Sequence, residues 1–286
     1  MLFKTRAKVN LTLEVIGRRD DGYHMVDTVY QPLSLGDRIF VERRSSGLAF
    51  SCSDKTLETP SNLACRAFRL MQERFGFSGG LEMRLEKHVP SQAGLGGGSG
   101  DAAAVLMICN ELFALGLSRE TLAETGAALG ADVPALVYGC PTRGRGTGAE
   151  VVPIPSKLTL PLLIVKPPAG LSTPLMYRRL DERGLCGAGG KSRSEAAEEA
   201  LREGDAAALK AQLFNAFDAA ADEEEVLASR RALSDAGAEK AVLCGSGSAS
   251  FGVFADAESR DEAAEKLRNG LPDSWLVLPA DTVSEE

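Results

Sequence analysis

The sequence predicts an α+β protein of two domains. Three observations carry this. The chain has 286 residues, and at ~150 residues per domain that length suits about two. Strand-like and helix-like patterns alternate in both halves, but the N-terminal strands follow one another as a meander, which argues against a doubly wound parallel sheet. The composition shifts at Pro153-Ile-Pro155, a helix-breaking stretch that reads as a linker. The expected division is therefore 1–155 and 156–286.

The elements follow in order. Val9, Leu11, Leu13 and Val15 alternate with Lys8, Asn10, Thr12 and Glu14, the period of a strand with one buried face. Residues 17–22 form a charged turn, and strands are expected over 28–33 and 38–42, around Gly36-Asp37. Leu63, Ala67, Leu70 and Met71 have helical spacing, which predicts a helix over 62–75. Leu81, Met83 and Leu85 alternate again and run into Pro90 and a glycine cluster at 94–100. A helix from Asp101 to about Leu115 follows, then a second from an N-capping Ser118 to Leu129, closed by Gly130. Beyond the linker, residues 158–165 read as a buried strand and 184–194 as a glycine-rich loop. Helices are expected at 194–203, 205–217, 222–236 and 257–269, with strands at 241–244, 251–254 and 275–278.

Composition excludes several functions. Lys plus Arg number 32 against 40 Asp plus Glu, a net charge of −8, so a basic nucleic-acid binder is not expected. No apolar run approaches the ~18 residues of a membrane span, and the polar alternation of the N-terminus leaves no signal-peptide core. Six scattered cysteines without a CxxC pair read as reduced thiols, hence a cytoplasmic chain. Monomer and homodimer both stay open.

The glycine cluster is the sharpest chemical feature. Gly94, Gly96, Gly97, Gly98 and Gly100, entered from a strand and leaving into a helix, expose backbone N–H groups at the positive end of a helix dipole. That is an anion cradle with phosphate as its usual occupant; a flexible turn is the plain alternative. It is not a Walker A, since no Lys-Ser/Thr follows. Gly190-Lys191-Ser192 lacks the first glycine of that pattern and reads as a solvated loop. Lys8 and Asn10 point the same way from one strand, which by periodicity alone suits a solvated polar face. Asp132 suits a helix N-cap as well as a general base. His24, beside Tyr23, is one of two histidines. No G-x-S-x-G elbow or H-E-x-x-H accompanies it. Tyr177 suits core packing.

Together these residues carry a resemblance. Pro90-Ser-Gln-Ala-Gly94-Leu-Gly-Gly-Gly-Ser99-Gly-Asp-Ala-Ala-Ala104 resembles the glycine loop of the GHMP kinase superfamily. Ala7-Lys-Val-Asn-Leu11, Gly17-Arg-Arg-Asp-Asp-Gly-Tyr-His24 and Leu129-Gly-Ala-Asp-Val-Pro134 resemble the branch that acts on a cytidine diphosphate-linked methylerythritol. Gly245-Ser-Gly-Ser248 resembles the family's C-terminal glycine motif. The matches run in the family's order over most of the chain. One departure stands out: Gly100 occupies a position where members commonly carry a second Ser or Thr.

The resemblance implies a ribosomal-S5-like N-terminal domain, a ferredoxin-like C-terminal domain and an active site between them. It implies transfer of phosphate from ATP, with Mg²⁺, to the 2-hydroxyl of the cytidine diphosphate-linked alcohol, a step of the non-mevalonate isoprenoid pathway. By the same resemblance Asp132 takes the proton of the attacking hydroxyl and Lys8 pairs with it. Pro90, Gly94, Leu95, Gly96, Gly97, Gly98, Ser99 and Gly100 hold the ATP phosphates, with Ser99 near the metal. Asn62, Leu63 and Lys87 line the adenine pocket. Asn10 and Thr173 contact the substrate, Tyr23 and Tyr177 stack on the cytosine, and His24 reads its edge. Another kinase of the superfamily (homoserine, mevalonate or sugar) is the competing reading. A non-catalytic nucleotide binder would need neither Lys8 nor Asp132, and net charge weighs against an RNA-binding protein.

Overall fold

The computed structural model describes residues 1–187 and 192–284. The chain runs through β1 (Leu2–Lys4), β2 (Lys8–Arg18), β3 (His24–Pro32), β4 (Arg38–Arg44) and β5 (Gly47–Cys52) to α1 (Leu63–Phe75) and β6 (Gly80–Glu86). Next come α2 (Gly97–Leu112), α3 (Arg119–Ala127), α4 (Val133–Tyr138), β7 (Thr142–Arg145) and β8 (Glu150–Pro153). The remainder is β9 (Pro161–Lys166), α5 (Thr173–Glu182), α6 (Arg193–Glu203), α7 (Ala206–Gln212) and β10 (Phe214–Asn215). It ends with α8 (Glu224–Asp235), β11 (Lys240–Leu243), β12 (Ser250–Val253), α9 (Ala257–Gly270) and β13 (Leu276–Asp281).

Three sheets organise these elements, with strand orders β1-β4-β6-β5, β10-β2-β3-β7-β8 and β11-β12-β9-β13. The first is covered by α1, α2 and α4 around Phe68, Met71, Leu85, Leu106 and Val137. The third carries α8 and α9 on one face through Leu233, Leu267, Leu163 and Val165. Its other face meets the middle sheet and α6 in a core that joins Val9 and Leu11 to Leu162, Ile164, Leu201 and Phe251. The middle sheet is therefore an interior layer. The expected division at 155/156 falls between β8 and β9, yet β10, from beyond it, pairs in parallel with β2 through Phe214↔Thr12 and Asn215↔Leu13.

This layering corrects the reading of β2. The strand was expected to bury one face; instead every residue from Lys8 to Val15 is buried. Lys8, Asn10, Thr12 and Glu14 are a buried polar face and not a solvated one. The sequence pattern also missed β1, β5, β7, β8, β10 and α5. The strands are short, and β7 is Thr-Arg-Gly-Arg, with no apolar alternation. Its position is set by pairing with β3, where Gly144 lies opposite Thr28 and lacks room for a Cβ against Tyr30. The helix expected over 205–217 stops at Gln212, because Phe214 and Asn215 leave it to join β2. Helix α2 starts at Gly97, inside the glycine cluster and not at Asp101, since the glycines themselves supply its first turn. Of the loop expected at 184–194, residues 188–191, with Gly190 and Lys191, lie outside the described residues; Ser192 caps α6 by accepting from the Glu195 N–H.

A buried ion cluster ties the layers. Arg143 on β7 donates to both Asp27 carboxylate oxygens (2.9 and 2.7 Å) and to Glu198 of α6 (3.0 Å). Replacing one partner of such a cluster strands the opposite charges without compensation. Arg143→Met is expected to destabilise the fold by about 3–5 kcal/mol, measurable as a lowered midpoint in urea unfolding.

Candidate active site

The site begins at the N-terminus of α2. Gly96 is the N-cap residue, in the left-handed conformation (φ 66°), and offers no side-chain cap. The first intrahelical bond runs from the Gly100 N–H to the Gly96 carbonyl at 2.8 Å. The N–H groups of Gly97, Gly98 and Ser99 are thus the orphan donors of the first turn, and they stand at the positive end of a 16-residue helix.

Two recesses meet at this loop. The larger is a cleft of about 1260 Å³ that includes Lys8, Asp132, His24 and Tyr177; the smaller, about 330 Å³, includes Asn62, Leu63, Lys87 and Ser99. Gln92, Gly94 and Gly96 border both. A second loop closes over the joint: the C-terminal glycines Gly245 and Gly247 also border the cleft. The contact between the two loops is tight. A Cβ on Gly94 (φ +75°) would overlap the Cys244 carbonyl oxygen, and one on Gly245 would lie 3.2 Å from Lys8 Nζ.

At the joint stands a polar relay. Lys8 Nζ lies 3.3 Å from Asp132 Oδ2 and donates to Asn10 Oδ1 at 2.9 Å. Asn10 Nδ2 in turn donates to Thr28 Oγ1 at 2.8 Å. A Cβ on Gly96 would sit 3.0 Å from the Lys8 side chain and 3.5 Å from Asp132 Oδ2, so the glycine loop and this pair are neighbours. Asp132 occupies the N-cap position of α4 but makes no side-chain cap hydrogen bond, which leaves its carboxylate to Lys8. Burial first, and then the Asp132 charge, push the Tyr30 phenol well above its ordinary range, so Tyr30 keeps its proton beside that carboxylate.

The remaining expected residues fall as follows. Pro90, Leu95, Gly97, Gly98 and Ser99 line the smaller recess. Gly100 lines neither; it faces a separate pocket with Lys4 and Arg6, and a Cβ there would overlap the Arg6 carbonyl. That overlap leaves no space for a hydroxyl-bearing side chain at this position. Asn62 caps α1, accepting from the Ala64 N–H and donating to the Leu57 carbonyl. Lys87 is held by Asp37 and by Asp101 (2.8 Å). Asp101 keeps one buried oxygen, Oδ1, without a hydrogen-bond partner, and burial raises its carboxyl above the usual range while Lys87 opposes that shift. Thr173 shares a hydrogen bond with Ser246 (2.7 Å) at the cleft rim.

At the far end of the cleft, His24 stacks on Tyr177 with centroids 4.3 Å apart and 16° between planes. Phe217 meets Tyr177 edge-on. Tyr23 is 65% exposed and borders the cleft without a ring partner among the described residues. Here one face of His24 lies against Tyr177. Sequence reasoning missed Thr28, Tyr30 and Asp181 as cleft residues. Thr28 and Tyr30 were accessible through the period of two on β3. Asp181 follows Tyr177 by one helical turn, a signal lost with helix α5.

Comparison with known proteins identifies the class. The GHMP kinases N terminal domain matches residues 62–140 and the GHMP kinases C terminal domain residues 197–273. The 4-diphosphocytidyl-2-C-methyl-D-erythritol kinase of Moorella thermoacetica is 43% identical over 278 residues, 94% of this chain and 95% of its own. The enzyme of that name from Symbiobacterium thermophilum is 39% identical over 97% of this chain and 99% of its own. A crystal structure of 4-(cytidine 5'-diphospho)-2C-methyl-D-erythritol kinase superposes over 100% of both chains with TM-score 0.81 and 34% identity. L. major mevalonate kinase, at 19% identity and TM-score 0.76 over 100% of this chain and 96% of its own, shares the fold. The chain belongs to the GHMP kinases and, within them, to the family of these 4-diphosphocytidyl-2-C-methyl-D-erythritol kinases.

The loop contact yields a test of the site's construction. Gly94→Ala places a Cβ on the Cys244 carbonyl at a positive φ and is expected to destabilise the protein by more than about 1 kcal/mol. Turnover should fall with it. Gly17→Ala, where a Cβ meets nothing within 4 Å, should not lower Tm and should leave turnover unchanged.

Proposed function

We propose that this chain transfers the γ-phosphate of ATP to the 2-hydroxyl of 4-diphosphocytidyl-2-C-methyl-D-erythritol, in the non-mevalonate route to isoprenoid precursors. The observation that carries this is the joint itself. An anion cradle borders two recesses, and the Lys8–Asp132 pair stands where they meet. A phosphoryl donor and an acceptor alcohol must approach in line from opposite sides of such a point.

In this reading the N–H groups of Gly97, Gly98 and Ser99 hold the ATP phosphates, with the base between Asn62, Leu63 and Lys87. The two carboxylates around Lys87 hold its ammonium near Gly97, where a Cβ would lie 3.4 Å from Nζ. Asp132 accepts the proton of the attacking hydroxyl. Lys8, buried and shared with Asn10, offsets charge on the transferred group and keeps the Asp132 carboxylate turned into the cleft. Asn10 and Thr173 meet the alcohol, and Tyr23, His24 and Tyr177 take the cytosine. Mg²⁺ prefers oxygen ligands and keeps much of its coordination for phosphate and water. The half-buried Ser99 hydroxyl among the phosphate-binding N–H groups fits that demand, and Ser99 would hold the ion, which when bound neutralises phosphate charge. Gly100 adds no second hydroxyl. Among the described residues no helix is long and apolar enough to cross a membrane.

An ADP-release assay separates this from the other kinases of the fold. ATP turnover is expected with the cytidylated alcohol and not with methylerythritol phosphate, homoserine or mevalonate; comparable rates with homoserine or mevalonate would sink the assignment. Asp132→Asn is expected to cut kcat by about 10²–10⁴, the usual worth of a general base, while ATP binding by calorimetry stays within about twofold. A variant of near-normal kcat would return Asp132 to a purely structural N-terminal residue of α4.

A further inference from the structure

Asp181 has no part in the chemistry above, yet it holds the residue that faces the base. Its Oδ1 lies 2.8 Å from His24 Nε2. Arg18 Nη1 approaches the other oxygen at 3.3 Å, and the Cys186 thiol reaches Oδ1 at 3.3 Å. These contacts, that of His24 foremost, hold the Asp181 carboxyl below its usual range. An ionised carboxylate only accepts hydrogen bonds. The proton between the two groups therefore belongs to His24 Nε2, and in the neutral ring the other nitrogen, Nδ1, is left with a lone pair. Nδ1 has no partner among the described residues. The ring is also held in place: the imidazole is nearly covered, stacked on Tyr177 on one face. His24, which lines the cleft, thus carries a fixed acceptor.

The consequence concerns which pyrimidine fits. Cytosine carries an amine donor at C4, where uracil carries a carbonyl acceptor. A lone pair on Nδ1 accepts from the first and opposes the second. We propose that Asp181 is the positioning residue that makes the cleft select cytosine over uracil, by keeping the His24 proton on Nε2. This rests on the reading of the His24–Tyr177 end as the base pocket.

The test uses the full-length protein at about pH 8, where imidazole is ordinarily neutral, with cytidine 5'-diphosphate and uridine 5'-diphosphate as probes. The unaltered protein should bind the cytidine compound tighter by about tenfold or more, the scale of one buried unpaired polar group. In Asp181→Asn the amide can rotate to donate to Nε2, which frees the opposite tautomer with a proton on Nδ1. Uridine diphosphate should then bind more tightly than to the unaltered protein, and the ratio should fall towards one. An Asp181 that serves only to support the fold would weaken both nucleotides alike; an unchanged ratio overturns the proposal while leaving the base pocket standing. Failure of the unaltered protein to bind either nucleotide overturns the pocket reading and this proposal with it. A measurement on the unaltered protein guards against a misfolded variant. The chain has only two histidines, His24 and His88, so ¹⁵N-histidine NMR resolves their four ring nitrogens. A proton on His24 Nε2 and none on Nδ1 is expected; the reverse tautomer overturns the proposal.

Discussion

The structure turns on the burial of β2 on both faces. A strand with Lys8, Asn10, Thr12 and Glu14 on one side would normally leave that side to water. Placed in an interior layer, each must find a protein partner, because an unpaired buried polar group costs several kcal/mol and a charge more. Each does. Lys8 has Asn10 and Asp132, and Asn10 has Thr28. Thr12 meets Ser194, and Glu14 accepts from the Ser194 N–H and from the hydroxyls of Ser192 and Ser194. One end of the strand becomes the Lys8–Asp132 corner of the cleft, and the middle anchors the N-terminus of α6. The same demand for pairing that stabilises the layer also fixes Lys8 against Asp132, so the geometry on which the proposed function rests and the integrity of the fold share their hydrogen bonds.

The second constraint is the closeness of two loops from distant parts of the chain. The 92–96 stretch is bonded across to the 248–249 stretch: the Ser248 N–H donates to the Gln92 carbonyl and the Ala249 N–H to that of Ala93. Gly94 abuts Cys244 with no space for a methyl group. Glycine is needed at Gly94 for two reasons at once, a positive φ and close backbone approach, and at Gly96 for a positive φ beside the Lys8 side chain. Through this contact the third sheet, which carries β11 and β12 on either side of the second loop, forms one wall of a cleft whose other wall is the N-terminal half. The cleft is therefore a product of tertiary packing and would not exist in either half alone.

Much of this was legible in the sequence, and the exceptions have physical causes. Long elements with clear periodicity, such as α1, β6 and α9, lie within a few residues of expectation because their pattern is local. The cradle was legible because five glycines between a strand and a helix have few other uses. The burial of Lys8 was not, since a period of two shows which residues share a face but not what covers it. Short strands β7 and β10 owe their existence to partners far along the chain. Asp181 was invisible for a related reason: its meaning depends on His24, 157 residues away, and no spacing within one element encodes that pairing.

Charge closes the argument about how such a protein holds phosphate. The chain carries −8 overall, so long-range attraction for a nucleotide is absent. Nor do the lysines and arginines around the two recesses supply free charge. Lys8 faces Asp132, Arg18 faces Asp181, Arg178 faces Glu182 at 4.0 Å, and Lys87 lies between Asp37 and Asp101. What is left is the set of orphan N–H groups on Gly97, Gly98 and Ser99 with the dipole of α2 behind them. No side chain caps these N–H groups, and the pull of the dipole falls off within about one helical turn. Anion recognition here is consequently short-ranged and dependent on backbone geometry. That is why glycines dominate the loop, and why, in the proposed function, the paired cations beside it serve orientation and proton transfer without also having to capture the nucleotide.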